Sequence, residues 1–138
     1  MDATAIIDAL SRAIPGDPAR FEAAASRDGM PTIYVAAEHL VATCRVLRDD
    51  PGLRFVFLAD IVGVDYLPRT PRFEVLYILA CPGTNGFGTA AKRLRLKVRV
   101  DDTVSSVSGI WPSANWAERE SSPTKATPRR RSTRKATA

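Results

Sequence analysis

The chain has 138 residues, of which 45% are hydrophobic, and this is enough for one small domain with a buried core. Its net charge of +5 is unevenly distributed, because all 15 acidic residues precede position 121 while six of the 20 basic residues follow it. The first 120 residues are therefore close to neutral, and the pI of about 9.7 does not indicate a nucleic-acid-binding domain. No apolar run approaches the ~20 residues that cross a bilayer, and the acidic start of the chain is unlike a secretory signal.

The first third of the chain predicts a helix and a pair of strands. Residues 3–14 repeat apolar side chains at helical spacing and are followed by a Pro-Gly pair that ends a helix. Segments 20–26 and 31–36 lie on either side of Asp28-Gly29, a dipeptide typical of hairpin turns. We therefore expect a helix followed by two short paired segments.

The middle of the chain predicts a second helix and then a buried strand. Residues 37–49 have one apolar side at helical spacing, and the following Asp-Asp-Pro-Gly run ends the helix. Residues 53–59, LRFVFLA, predict a strand that is buried on much of both faces. Residues 60–66 predict a short turn and a second strand segment, and the two prolines in 67–71 predict a loop.

The clearest elements are two strands, 72–80 and 92–100, that we expect to form an antiparallel hairpin. In KRLRLKVRV the apolar and charged residues alternate strictly, so one face is apolar and the other basic. The cations of the basic face are Arg93, Arg95, Lys97 and Arg99. Together these elements predict an α+β domain, with a mainly antiparallel sheet of about four to five strands and helices packed on one face.

The last 38 residues predict little regular structure. A helical turn at 104–110 and the start of a helix at 113–120 are the only candidates. Residues 121–138 contain no aromatic and no large aliphatic side chain, so their ordering could not be offset by burial. We therefore expect an α+β domain over residues 1–120 and a disordered basic tail over 121–138.

The sequence contains no residue set typical of catalysis, cofactor binding or metal binding. The titratable candidates are scattered: His39, Cys44, Asp60, Asp65, Cys81, Glu118 and Glu120. Paired carboxylates act as acid and base only when burial or a close like charge shifts a pKa, so salt bridges and solvation are the simpler interpretation. The two cysteines have no ligand spacing, and we expect two buried free thiols. The glycine-rich run 83–88 lacks the Lys-Ser/Thr of a phosphate loop and predicts a hairpin connection.

The basic strand face has three interpretations. Four cations on one face repel one another unless acidic groups oppose them, and Glu74 on the neighbouring strand is a candidate for cross-strand pairing. The face could be solvated or locally paired, or it could dock on an acidic protein partner. Nucleic acid is the least favoured, because no aromatic side chain of that strand face could stack a base.

Five collinear segments resemble a known family. They are LRDDPGLRF (47–55), DIVGVDY (60–66), PRFEVLYIL (71–79), RLRLKV (93–98) and SVSGIWPSANWAERE (106–120). They are similar to the C subunit of the proton-pumping NADH:quinone oxidoreductase, the respiratory complex I. The closing segment, which joins two tryptophans, a proline and Glu-Arg-Glu, is the most specific.

The resemblance implies a non-catalytic scaffold subunit of the peripheral arm of that enzyme. It would pack against the quinone-site subunit and the iron–sulfur subunits, and support electron transfer from NADH to quinone coupled to proton translocation. It implies that the assembly uses NADH, flavin, iron–sulfur clusters and quinone, and that this chain binds none of them. It also implies that the chain lies peripherally on the cytoplasmic face of the cell membrane and does not insert. The expected partner-docking residues are Trp111, Trp116, Glu118, Arg119 and Glu120, together with Arg93, Arg95, Lys97 and Arg99.

The chain departs from the family after Glu120, where an acidic and aromatic segment is expected and a basic tail follows. A frameshift near codon 121 is one hypothesis for this truncated pattern. Two other functions stay open at this point. One is an accessory subunit of a membrane-bound hydrogenase-type complex, which shares the fold, and the other is a small nucleic-acid-binding protein that acts through its basic tail.

Overall fold

The computed structural model describes residues 1–83 and 91–100. They form two α-helices, short 3-10 turns at 18–20 and 37–39, and five strands. In chain order the main elements are α1 (Ala3–Ala13), β1 (Phe21–Ala23), β2 (Thr32–Val35), α2 (Leu40–Asp49), β3 (Phe57–Asp65), β4 (Phe73–Cys81) and β5 (Lys92–Val100). The predicted α+β class is confirmed.

Both ends of α1 are held by side chains. Asp2 caps the N-terminus, where its Oδ1 accepts a hydrogen bond from the Ala5 N–H at 2.9 Å. Arg20 is buried, and its guanidinium donates to the carbonyls of Ile14 and Asp17 just beyond the C-terminus of the helix. A buried cation at this position satisfies the Ile14 carbonyl, which the helix itself leaves unpaired.

The five strands form one sheet in the order β1-β2-β5-β4-β3. The pairs β1–β2, β3–β4 and β4–β5 are antiparallel, as expected for hairpins, and β2–β5 is the parallel pair. The predicted pairing on either side of Asp28-Gly29 and the predicted hairpin of the two long strands are both confirmed. β5 therefore lies at the centre of the sheet, and β3 lies at its edge.

The core lies between the two helices and one face of this sheet. Ile6 and Leu10 of α1 pack in the same buried cluster as Leu40 and Leu47 of α2. The sheet contributes the apolar side of β5, whose four residues are Leu94, Leu96, Val98 and Val100. The prediction of one apolar face for β5 is therefore confirmed, since every second side chain of the strand enters the core.

The prediction for residues 53–66 is wrong in its boundaries. Residues 53–56 are not a strand, because the N–H of Phe55 donates to the Leu47 carbonyl at 2.8 Å and ties this segment to the end of α2. Leu53 and Phe55 enter the core from that turn rather than from a sheet. The strand instead runs through the predicted turn at 60–66, with a register shift between Leu58 and Asp60.

Within the residues that the structure describes, neither helix combines the length and the apolar character needed to cross a bilayer. The predicted helical segments 104–110 and 113–120, the glycine-rich connection beyond residue 83 and the boundary between domain and tail at 120 lie outside the described residues.

Candidate partner-docking surface

The sheet has a second face, opposite the helices, which we call the open face. Alternation along the strands places Glu22 of β1, Tyr34 of β2 and Glu74 of β4 there, beside the four cations of β5. In the described part of the chain no helix packs on this face, since the buried side chains of both helices belong to the core on the other side. The open face is therefore the candidate surface for docking.

Three of the four predicted cations are paired with acids of this chain. Arg95 Nη2 lies 2.6 Å from Asp28 Oδ2 in the connection between β1 and β2, and Arg99 Nη1 lies 3.1 Å from Glu22 Oε2. Lys97 Nζ lies 3.1 Å from Glu74 Oε2. Arg93 is exposed and has no ion pair within residues 1–83 and 91–100. Most of the basic face is thus locally neutralised, as one interpretation of the sequence proposed.

The pair formed by Glu74 and Lys97 is nearly removed from water. Their side chains are 2% and 17% exposed, respectively. Tyr34 completes the group, because its hydroxyl donates a hydrogen bond of 2.7 Å to Glu74 Oε1. Lys97 approaches the other carboxylate oxygen as an ion pair without hydrogen-bond alignment, so Oε2 has no hydrogen-bond donor in the described residues. Tyr34 and Lys97 thus stabilise the buried Glu74 carboxylate, because a buried carboxylate without a partner is strongly destabilising.

The ionisation of this group follows from its contacts. Burial alone would raise the pKa of the Glu74 carboxyl, but the hydrogen bond from Tyr34 and the Lys97 ammonium outweigh it and lower the pKa. Burial alone would lower the pKa of Lys97, and the Glu74 carboxylate raises it instead. Burial and the hydrogen bond to Glu74 both raise the pKa of Tyr34. Near neutral pH the group is therefore a charged pair beneath a neutral tyrosine.

Cations and tyrosines alternate across the open face, and we call this the cation–tyrosine row: Arg69, Tyr66, Lys97, Tyr34 and Arg99. The Arg99 Cζ lies 3.6 Å from the centroid of the Tyr34 ring, and Lys97 Nζ lies 5.4 Å from the same ring. Lys97 Nζ is also 5.9 Å from the Tyr66 ring, over which the Arg69 Cζ lies at 4.6 Å. These distances are in the range of cation–π attraction.

Of the two carboxylate pairs, Glu118 and Glu120 lie outside the described residues, and Asp60 and Asp65 each make separate local hydrogen bonds. Asp60 is exposed, and its Oδ1 accepts the N–H of Ile61 at 2.8 Å. Asp65 forms two hydrogen bonds of 2.8 Å with Arg72, and this pairing lowers the pKa of Asp65 to about 2. Both carboxylates thus form hydrogen bonds with groups close to them in the sequence.

The remaining predicted candidates also have ordinary environments where they can be described. Cys44 and Cys81 are buried free thiols, as predicted, and burial raises the pKa of Cys44 to about 12. His39 is half-buried at the start of α2. Within residues 1–83 and 91–100, no group of three or more His, Cys, Asp or Glu side chains could hold a metal ion.

The closing cluster of predicted docking residues, Trp111, Trp116, Glu118, Arg119 and Glu120, lies outside the described residues.

Sequence reasoning missed the acids Glu22 and Asp28. Its premise that no aromatic side chain lies on the basic face was wrong, because Tyr34 and Tyr66 both lie against the β5 cations. Tyr34 could have been found, because Thr32 and Tyr34 alternate with Ile33 and Val35 in the same way as the cations of β5 alternate with its apolar residues. The approach of Tyr66 to Lys97 could not, since it depends on the register of β3 against β4, which continues past Asp65 through the hydrogen bond from the Tyr66 N–H to the Arg72 carbonyl.

Comparison with known proteins gives a consistent answer. A model of the family described as "Respiratory-chain NADH dehydrogenase, 30 Kd subunit" matches residues 33–122. A protein of Roseiflexus sp. (strain RS-1), named as the C subunit of NADH-quinone oxidoreductase, is 49% identical over 92 residues, which are 64% of this chain and 49% of that protein. A protein of Rhizobium etli (strain CIAT 652), named as the second C subunit of NADH-quinone oxidoreductase, is 43% identical over 94 residues, or 67% of this chain and 47% of the relative.

The chain thus spans about half the length of these curated relatives. Among solved structures, the trypsin-resistant fragment (1–134) of a protein named Nqo5 has a similar fold. The TM-score is 0.52 at 24% sequence identity, over 83% of this chain and 85% of that one.

Proposed function

Because this chain belongs to the family of the 30 kDa subunit of respiratory-chain NADH dehydrogenase, we propose that it is a non-catalytic scaffold subunit in the peripheral arm of an NADH:quinone oxidoreductase. The observation that carries the proposal is the family match over residues 33–122, which extends through both long hairpin strands and the tryptophan-containing segment. The open face is consistent with it, since three of the four β5 cations form ion pairs with acids of this chain within residues 1–83 and 91–100.

In this proposal the chemistry belongs to the neighbouring subunits. NADH, flavin, iron–sulfur clusters and quinone are bound elsewhere in the assembly, and electron transfer and the coupled proton translocation take place there. The chain itself holds the quinone-site subunit and the iron–sulfur subunits in position, as part of a hetero-oligomer. It lies on the cytoplasmic face of the membrane as a peripheral subunit, and it neither inserts nor binds nucleic acid.

Two groups of residues are proposed to dock the partners. The first is the closing cluster, Trp111, Trp116, Glu118, Arg119 and Glu120, because tryptophan and arginine are the side chains that most often dominate binding energy at interfaces. The second is the charged side of β5, with Arg93, Arg95, Lys97 and Arg99. Within the second group Arg93 has the freest guanidinium, as the other three cations are paired with acids of this chain.

Co-expression with the quinone-site subunit of the same organism tests the proposal. The 138-residue chain should co-purify with that subunit and elute with it from a sizing column at a fixed ratio. Elution of the chain on its own, with the quinone-site subunit folded, would contradict the scaffold role.

A single substitution tests the closing cluster within the same experiment. Arg119→Lys keeps the charge but loses the planar pair of donors with which arginine binds a carboxylate, so recovery of the complex should fall. Arg12→Lys, on the exposed side of α1, is the matched control and should leave recovery unchanged.

A further inference from the structure

The described large apolar side chains that are exposed are unevenly distributed. Apart from Met1 at the chain terminus they are Ile61, Val62 and Leu67, all in β3 or in the loop that follows it. Leu67 is 68% exposed, the highest value among them. β3 is also the long edge strand of the sheet, with nine residues and only β4 as a partner in the described part of the chain. An exposed apolar edge of this kind is typical of a surface that another protein covers.

The backbone of the loop after β3 is held by hydrogen bonds. The Tyr66 N–H donates to the Arg72 carbonyl at 2.8 Å, and the Arg69 N–H donates to the Tyr66 carbonyl at 2.8 Å. The Leu67 N–H donates to Asp65 Oδ1 at 3.0 Å. Because these bonds close the loop on itself, Leu67 and Arg69 are presented to solvent without the entropy loss that ordering a loose loop would impose on binding.

Arg69 is the cation that this part of the surface leaves without an acidic partner. Its guanidinium stacks on the Tyr66 ring, and within residues 1–83 and 91–100 no carboxylate lies within ion-pair distance of it. The adjacent acids form ion pairs with other cations, since Asp65 pairs with Arg72 and the buried Glu74 pairs with Lys97, and Arg69 contributes to the lowered pKa of Glu74 only at longer range. The exposed end of the cation–tyrosine row therefore carries net positive charge next to apolar side chains.

The ion pairs of the open face also reduce the positive charge that β5 presents to a partner. Asp28, Glu22 and Glu74 neutralise three of the β5 cations, so attraction for an acidic partner is weaker there than the sequence alone suggests. Besides Arg93, an unpaired cation is available at Arg69. The two lie about one β4 length apart, because the loop that carries Arg69 leads into the start of β4 while Arg93 faces the end of β4.

We propose that Val62, Leu67, Tyr66 and Arg69 form a docking surface for a partner-subunit segment in which a carboxylate is adjacent to an apolar side chain. The carboxylate would pair with the Arg69 guanidinium, the adjacent apolar side chain would cover Leu67, and the segment would continue along β3 towards Val62. This inference rests on the proposed function, because the partner belongs to the same assembly. Charge complementarity selects the occupant, as a lone cation stacked on an aromatic ring beside apolar groups matches an acidic–apolar segment.

The test uses the full chain and the purified quinone-site subunit, with the dissociation constant measured by interferometry. Arg69→Glu and Leu67→Asp should each weaken binding by about tenfold or more, because each places a carboxylate where the partner's carboxylate or apolar group lies. Arg69→Gln should weaken binding less and reduce its dependence on salt. Arg12→Glu makes the same charge change on α1, on the other side of the sheet, and should leave the constant unchanged.

Each outcome separates the inference from the proposed function. If the unmodified chain does not bind the quinone-site subunit, the proposed function and this inference are both overturned. If it binds, and Arg69→Glu and Leu67→Asp bind equally well with unchanged circular dichroism, the inference alone is overturned. A self-association in light scattering that both variants abolish, with partner binding intact, would assign the surface to a second copy of this chain and likewise overturn the inference.

Discussion

The two faces of this sheet are stabilised by different interactions, although β5 lies at the centre of both. On the covered face β5 presents Leu94, Leu96 and Val98, each with no exposed surface, against two helices. On the open face it presents cations that are held by three acids from three other parts of the chain. The covered face depends on shape and volume, whereas the open face depends on charge pairing, and mutations should therefore affect the two faces in different ways.

The largest effect is expected on the covered face. Leu96→Ala removes a fully buried side chain at the centre of the sheet and should lower the free energy of unfolding by about 3 kcal/mol, because the neighbouring side chains cannot fill the cavity. Urea denaturation at neutral pH measures this loss. Arg93→Gln on the other face of the same strand is the control, and it should stay within about 0.5 kcal/mol of the unmodified chain. Equal losses for the two variants would contradict the distinction between the faces.

A smaller effect is expected where the open face buries charge. Lys97→Met leaves Glu74 without its counter-ion in a buried position, and the unfolding free energy should fall by about 2 kcal/mol. Adding Glu74→Gln removes the unpaired charge and keeps an acceptor for Tyr34, so the double variant should recover most of the loss. A double variant as unstable as Lys97→Met would mean that the lysine acts through packing rather than through its charge.

A still smaller effect is expected from the tyrosine hydroxyl. Tyr34→Phe keeps the ring between Lys97 and Arg99 and removes only the 2.7 Å hydrogen bond to Glu74, so it should cost about 1 kcal/mol. Tyr66→Phe is the matched control, because its hydroxyl makes no hydrogen bond within residues 1–83 and 91–100, and it should change stability by less than about 0.5 kcal/mol. Thermal or urea unfolding of both variants distinguishes the hydroxyl from the ring.

The smallest effect is a dependence of stability on acid. The hydrogen bonds from Arg95, Ser26 and the Met30 N–H hold the pKa of Asp28 below its ordinary 3.8. A lowered pKa in the folded state means that the stabilisation is complete above pH 3.8 and is lost as the pH falls further. Asp28→Asn should therefore flatten the decline of stability below about pH 4, whereas Leu96→Ala should lower the whole curve without changing its slope. An unchanged acid slope in Asp28→Asn would show that this carboxylate does not contribute to the acid dependence.

The covered face was largely predictable from the sequence and the open face was not. Alternation in residues 92–100 fixed which side chains enter the core, because a strand has a period of two whatever its neighbours are. The partners of the cations depend on strand order, and the parallel pairing of β2 with β5 brings Tyr34 beside Lys97 across 63 residues of sequence. Only Glu74 could be named in advance, since the hairpin of β4 and β5 is local.

The start of β3 shows a second limit. LRFVFLA has the composition of a buried strand, and Leu53 and Phe55 are indeed buried. Their burial comes from a turn tied to α2, in which Arg54 has a positive φ of 52°. Amino-acid composition can therefore predict that a side chain is buried, but it does not predict the backbone conformation of the segment that carries it.

The position of β5 has a consequence for biosynthesis. Of the described strands it emerges last from the ribosome, yet it lies between the β1–β2 hairpin and the β3–β4 hairpin and joins them. Until it is translated, the nascent polypeptide can form two separate hairpins, each with an unsatisfied edge facing the gap. The final nine-residue strand then closes this gap in one step, so the sheet becomes continuous only when nearly all of its residues have been made.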